Sequence, residues 1–232
     1  MLDGLVHVTI SRLYRDRGVF AFLETDVLPA LAERAGKCGA GALDVWSAGC
    51  ASGEEPYTLA VMWELALTPL ASGVTLRILA TDVDDAMLTR ARRGCYRAGS
   101  LRELPEGWRA AVFVERDGLY WVTGGSRRMV RIARHDIRDP PPGGPFDLVL
   151  CRNVAFTYFD EPAQRATAAR LADALRAGGA LVLGKHEALP AGAEGFEPWS
   201  AGERIYRRVS GVTGRRATGR RITPSLGSPA AE

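Results

Sequence analysis

Apolar residues in the first part of the chain recur at helical spacing, then give way to short, nearly continuous apolar runs. Val19, Phe20, Phe22, Leu23, Val27, Leu28 and Leu31 fall at three- and four-residue intervals, which predicts a helix from Leu13 to Arg34. Pro29 would kink that helix or divide it in two, since a proline nitrogen has no hydrogen to donate to the preceding turn. Gly36, Gly39 and Gly41 mark a loop. Leu43 to Ser47 then reads as a buried strand, Pro56 to Leu67 as a helix, and Val74 to Ala80 as a second strand ending at Thr81-Asp82. Asp84 to Arg93 is a short helix with Asp84 as its N-cap.

The second half repeats the alternation with one interruption. Arg116 to Val122 holds an Asp-Gly turn before a strand-like run, and Met129 to Ala133 is also extended, so the two together predict a small β excursion. Pro140 to Gly144 forms a rigid loop before the strong strand Phe146 to Cys151. Gln164 to Arg176 is an amphipathic helix closed by Gly178-Gly179, followed by a strand from Ala180 to Gly184. Phe196 to Trp199 and Arg204 to Val209 predict a closing antiparallel pair. Strands alternating with helices give an α/β fold, a doubly wound and mostly parallel sheet with helices on both faces.

Charge and cysteine usage narrow the function. The net charge of +3 is carried entirely from Val209 onward, where Arg215, Arg216, Arg220 and Arg221 face only Glu232. The body is therefore neutral, which argues against a nucleic-acid partner, and the Gly/Arg/Ser/Pro-rich tail is expected to be disordered. No apolar run approaches the roughly 20 residues of a membrane span, and Met1 to Arg17 lacks a signal-peptide apolar block, so a cytoplasmic protein without membrane insertion is expected. Cys38, Cys50, Cys95 and Cys151 form no C-x-x-C pair and no Cys/His cluster, so reduced thiols and no metal are expected.

The chemistry concentrates at the bend after the first strand, Ser47-Ala-Gly-Cys-Ala-Ser-Gly-Glu-Glu-Pro-Tyr57. In doubly wound folds, ligands sit at the carboxyl ends of the strands. Gly49 and Gly53 allow close approach of backbone to a ligand. The bend has no Gly-Lys-Ser/Thr for phosphates, and Glu54 and Glu55 stand where a pyrophosphate would want bare amides. Carboxylates there suit a ligand bearing an ammonium and a sulfonium, as S-adenosylmethionine does. Asp82 ends the next strand, placed either to accept both ribose hydroxyls or to cap a turn. Asp136, in His135-Asp-Ile137, either bonds an adenine amine or starts a turn. Asn153 ends the strand Phe146 to Cys151 and points into the same crevice, or else belongs to a local turn with Arg152 exposed.

These segments resemble, in order, the chemotaxis receptor glutamate methyltransferase (CheR-type) family. Ser47 to Thr58 is similar to the family's cofactor loop. Ala80-Thr-Asp82, Ala91 to Tyr96, Phe146 to Val154 and Tyr158-Phe-Asp160 are similar to further family segments. The resemblance runs from about Ser11 to Val209. It implies a class I methyltransferase, Rossmann-like, with a seven-stranded sheet, and S-adenosyl-L-methionine as methyl donor with S-adenosyl-L-homocysteine as product. Carried over residue by residue, Arg15 in Arg12-Leu-Tyr-Arg-Asp16 approaches donor and acceptor, and Ser11 lies near the cofactor. Ala48 and Gly49 belong to the cofactor loop, Glu54 or Glu55 holds the amino-acid end and Asp82 the ribose. Asp136 and Ile137 lie near the adenine, Asn153 and Val154 line the cleft, and Tyr158 is the active-site tyrosine. The implied acceptor is a glutamate carboxylate on a chemotaxis-type receptor; separately, a monomer is expected.

The chain also departs from the family pattern. About ten residues precede Arg12, so the family's N-terminal helical domain is expected to be absent, and Thr9 stands where the family often has asparagine. Val154-Ala-Phe-Thr157 is one residue longer than usual before Tyr158. Gly184-Lys-His-Glu187 replaces the common Gly-His-Ser-Glu, leaving His186 and Glu187 either in the acceptor site or at a strand end. The predicted organisation is a helical segment at 1–36, a methyltransferase domain at 37–209 and a basic tail at 210–232. The alternatives are a methyltransferase of the same fold acting on another protein or a small molecule, and a non-catalytic S-adenosylmethionine-binding regulator.

Overall fold

A computed structural model describes residues 11–71 and 73–209; the expectations for Thr9 and for the tail at 210–232 lie outside the described residues. Residues 11–16 form no helix. Tyr14 and Asp16 both adopt left-handed backbone, and the segment is held instead by Leu13 N–H donating to the Ser100 carbonyl and Tyr14 N–H donating to Thr58 Oγ1. The first helix therefore starts later than the apolar spacing predicts, as α1 (Arg17–Phe22). It passes through a π turn (Leu23–Val27) into α2 (Leu28–Lys37). Pro29 neither stops nor splits the helix. The wider turn just before it absorbs the lost donor, the usual use of a π bulge.

The chain then runs β1 (Ala42–Ala48), α3 (Glu54–Met62), β2 (Thr75–Asp82), α4 (Asp85–Arg93), β3 (Cys95–Arg97), α5 (Trp108–Val112), β4 (Phe113–Arg116), β5 (Leu119–Val122), α6 (Gly124–Met129), β6 (Val130–Arg134), β7 (Phe146–Cys151), α7 (Ala155–Tyr158), α8 (Glu161–Ala174), β8 (Leu175–Leu183), β9 (Phe196–Ser200) and β10 (Ile205–Arg208). Asp84 caps α4 by accepting from Ala86 and Met87 N–H, and Asp160 caps α8 by accepting from Ala163 N–H. Each such cap is worth about 1 kcal/mol.

Seven strands form one sheet in the order β6-β2-β1-β7-β8-β10-β9, parallel except for β10 and β9. The excursion is a separate three-stranded sheet, β3-β5-β4, whose hairpin turns at Asp117-Gly118 with positive φ at both positions. Met129 to Ala133 does not belong to it. That run supplies β6, the parallel edge strand beside β2, because its partner is Ile78 to Asp82 rather than the hairpin. Gly178-Gly179 does not close the preceding helix either. α8 ends at Ala174, and the glycines lie within β8, where a register shift opposite Phe146 and Leu148 absorbs them.

All six residues of β7 are buried, as a central strand covered on both faces requires. Leu148 and Leu150 face a core shared with α1, α2 and α3, whereas Val149 and Cys151 face a core shared with α8. The order places β1 at a switch point: the chain leaves it toward β2 and β6, then returns to β7 on its other side. A crevice at the carboxyl ends of β1 and β7 follows from that topology.

Candidate active site

The crevice holds a cavity of about 320 Å³, lined among others by Gly49, Asp82, Val83, Asp136, Ile137, Val154 and Phe159. Five of the residues singled out in the sequence thus share one wall. Gly49, with φ 79°, is needed there: a Cβ on it would lie 2.3 Å from Val154 Cγ2. The bend after β1 is tied to β2 by Gly49 and Cys50 N–H, which both donate to the Thr81 carbonyl.

Asp82 does two things at once. Its Oδ2 accepts from Ala51 N–H at 2.8 Å and its Oδ1 from Asp84 N–H at 3.0 Å, so it caps the turn and orders the bend. Each carboxylate oxygen still has a second lone pair to offer a ligand hydroxyl. Asp136 likewise makes an Asx turn, accepting from Arg138 N–H, and takes the Arg138 guanidinium as well. The Arg138 contacts hold its carboxyl down to about 2, so it is ionised at neutral pH. The cavity floor is apolar at Ile137 and Val154, which suits the faces of a purine.

The two glutamates of the bend part company. Glu54 is buried at 2% exposure and turns inward, where Ser52 Oγ donates to it, with Thr58 Oγ1 on its carbonyl. Glu55 accepts from Ser47 Oγ at 2.7 Å and from Arg152 at 3.3 Å. Burial pushes the Glu55 carboxyl up, against the opposing pull of Arg152 and Ser47. Arg152 is not exposed, as the turn reading had it; it is buried and also reaches Asp16 at 2.5 Å. Two carboxylates share one guanidinium, so the cluster carries one net negative charge at neutral pH when both are ionised. Of the two glutamates, Glu55 is the one that joins Ser47 and Arg152 at the carboxyl end of β1.

The remaining expected residues are not among those that line the cavity. Ala48 is buried at the end of β1. Asn153 takes left-handed backbone at the end of β7. Ser11 is half-buried, Arg15 is exposed, and Tyr158 closes α7 with 60% of its surface exposed. Cys50 and Cys151 are buried thiols whose pKa is pushed up by desolvation, which removes them as nucleophiles. Among the described residues no cluster of His, Cys, Asp and Glu has the arrangement of a metal site.

Sequence reasoning gave no role to Thr81, Val83, His135, Arg138 or Phe159, which also line the cavity, each directly beside a residue that was singled out. Glu187 proves to be buried rather than part of an open acceptor site. Gly184, Asn153 and Val154 N–H and Thr157 Oγ1 all donate to it, while neighbouring His186 is exposed.

A doubly wound sheet with an acid-lined, purine-sized crevice over its switch point defines a nucleoside-cofactor domain without a phosphate loop. The chain belongs to the CheR methyltransferase family: residues 9–205 match its SAM binding domain. The chain is accordingly an S-adenosylmethionine-dependent methyltransferase domain, and the residues present fit that cofactor, since the Asp82 and Asp136 carboxylates and the apolar Ile137 and Val154 line one cavity. It is 37% identical over 184 residues to the chemotaxis protein methyltransferase of Listeria innocua, covering 79% of this chain and 67% of that one. It is 32% identical over 222 residues to a probable chemotaxis protein methyltransferase of Rhizobium etli, covering 93% and 81%. It is 35% identical over 221 residues to an uncharacterized 104.1 kDa protein of Rhodobacter capsulatus, covering 94% of this chain and 23% of that protein. No helix among the described residues is long and apolar enough to cross a membrane.

Proposed function

We propose that this domain transfers a methyl group from S-adenosylmethionine to a glutamate carboxylate of a protein acceptor, of the chemotaxis-receptor kind. The observation that carries the reading is the guanidinium of Arg152 shared between Asp16 and Glu55, which sets two carboxyl groups against one cation at the carboxyl end of β1, where the ammonium-bearing end of the cofactor would lie. In this reading Glu55 with Arg152 and Asp16 faces that ammonium, Asp82 accepts the ribose hydroxyls, and Asp136, Ile137 and Val154 hold the adenine. The bound cofactor supplies an electrophilic methyl on a sulfonium.

The chain's own residues have little proton chemistry to do. A glutamate acceptor is ionised at pH 7, so it needs no general base. Alignment of carboxylate with methyl is the requirement that remains. Arg15 is the residue we assign to orient the carboxylate, through the paired N–H groups of its guanidinium. Tyr158, at the exposed end of α7, is assigned to the same acceptor side of the crevice. The names of the Listeria and Rhizobium relatives support a chemotaxis protein as acceptor.

The test is transfer of labelled methyl from S-adenosylmethionine to receptor fragments, followed by mild alkali. A carboxyl ester releases its label as methanol. Label that survives alkali would reject carboxyl methylation, and turnover unaffected in Arg15→Ala would remove Arg15 from the reacting groups.

A further inference from the structure

Formal charge is distributed unevenly within the neutral body. Residues 86–134 hold eleven arginines against four carboxylates, and the rest of the chain up to Arg208 carries the compensating excess of seven carboxylates. The surplus gathers where α4 ends beside α6 and β6. Arg90, Arg92 and Arg93 stand in the last turn of α4, Arg127 and Arg128 on α6, and Arg131 on the edge strand β6, all six exposed. Among the described residues none of the six shares an ion pair with a carboxylate, whereas Arg134 nearby is paired with Asp85 and Arg102 with Glu103.

Local structure accounts for only part of this. Arg127 donates to the carbonyls of Arg92 and Arg93, satisfying the end of α4. Glu64, the carboxylate that meets α6, is consumed by Gly125 and Ser126 at its start. The guanidinium groups of Arg90, Arg92, Arg93, Arg128 and Arg131 make no bond to any carboxylate or carbonyl among the described residues. A helix end needs one or two cations, not five more beyond its cap.

We propose that this basic surface docks an acidic segment of the methyl-accepting protein, away from the cofactor crevice. The proposal rests on the protein-acceptor reading above: a segment that presents glutamates for methylation is itself anionic, and charge complementarity selects it. Among the described residues the exposed large apolar side chains are Leu70, Val83, Val114 and Tyr158, none of them in the last turn of α4, on α6 or on β6. The surface thus lacks the stacking rings of a single-strand binder and the apolar wedge of a membrane-inserting face. Exposed charges of this kind speed encounter and fix orientation more than they add affinity.

The test needs no methyl transfer, so its failure is separable from failure of the methyltransferase reading. The full chain is titrated with poly-L-glutamate at rising salt, then with anionic lipid vesicles and duplex DNA. The expected result is salt-sensitive binding of poly-L-glutamate, weakened about tenfold in Arg128→Glu combined with Arg131→Glu and within about twofold of the parent in Arg165→Glu, on the far helix α8. S-adenosylhomocysteine affinity, read by calorimetry, stays at the parent value in every variant and reports an intact fold. Should the double reversal perturb the fold, Arg92→Gln with Arg93→Gln gives the same comparison without a new charge. Poly-L-glutamate binding indifferent to these changes, or preferential binding of vesicles or DNA, would overturn the proposal.

Discussion

The guanidinium of Arg152 stands 2.5 Å from Asp16 and 3.3 Å from Glu55, with its side chain only 5% exposed. It thereby joins the loop that carries Arg15 to the bend that follows β1. The two segments are well separated in the chain, and this ion pair, together with the Tyr14 N–H bond to Thr58 Oγ1, ties the proposed acceptor side to the cofactor side.

Replacing that cation isolates two carboxylates where water is scarce. Arg152→Met is expected to cost about 3–5 kcal/mol, the range for breaking a buried pair from one side. Its pH dependence is specific. Glu55 is raised above its ordinary value of 4.5 by burial, with Arg152 opposing, so its contribution to stability is present below that value and lost as pH rises. Without Arg152 the upward shift grows. The stability gap between parent and variant should therefore widen from about pH 4.5 toward neutrality, as read by urea unfolding at several pH values. A gap that is flat in pH would show that Arg152 acts by packing alone.

Gly49 and Val154 meet across the switch point. Gly49→Ala puts a Cβ 2.3 Å from Val154 Cγ2 on backbone with φ 79°. The expected outcome is a loss of S-adenosylhomocysteine affinity of at least about tenfold, with about 1 kcal/mol of backbone strain. Adding Val154→Ala removes the clash but not the strain, so the double variant should regain part of the affinity. Calorimetry on the two single variants and the double gives the coupling directly. Strict additivity would mean that the side-chain contact is irrelevant to binding.

Asp136 offers a test at the opposite end of the pH scale. Arg138 holds its carboxyl down to about 2, so the pair contributes stability above the ordinary value of 3.8, and loses it as pH falls toward about 2. Arg138 is 68% exposed, so screening keeps the contribution below about 1 kcal/mol. The difference in unfolding free energy between parent and Arg138→Gln should be constant above about pH 4 and vanish near pH 2. A difference that persists in strong acid would assign the effect to something other than this ion pair.

How far the sequence foretold this arrangement depended on whether a residue announces itself locally. Apolar runs at Leu43 and Phe146 specify buried strands because a strand covered on both faces must be apolar throughout. Gly49, Asp82, Asp136, Ile137 and Val154 were legible because each follows a strand, and the topology brings strand ends together. Arg152 was not. Its burial is decided by Asp16 and Glu55, which lie more than ninety residues away along the chain. Glu54 and Glu55 have identical local character, and only the positions of Ser52 and Ser47 send one inward and the other toward Arg152. The start of the first helix failed for a related reason: Leu13 and Tyr14 are buried at helical spacing, but Ser100 and Thr58 claim their amides.

Glu187 provides the last prediction, because one carboxylate there supports two strand ends. Its Oε2 accepts from Asn153 N–H and Gly184 N–H, both at 2.7 Å, and its Oε1 from Val154 N–H at 3.2 Å and Thr157 Oγ1 at 2.6 Å. Asn153 is held in left-handed backbone by these bonds, and α7 with Tyr158 follows directly. A glutamine keeps the shape but replaces one oxygen with an NH₂ that faces donors, so one or two of the four bonds must break. Glu187→Gln should lose about 2–3 kcal/mol of stability, since bonds to a buried charge are the strong kind. The amides of Asn153 and Val154 should then exchange with solvent faster, while those of β2, on the far side of β1, keep their protection relative to global unfolding. S-adenosylhomocysteine affinity should fall with them, because Val154 lines the cavity. Unchanged protection at Asn153 and Val154 would mean that β7 alone fixes the turn and that Glu187 has no part in shaping the site.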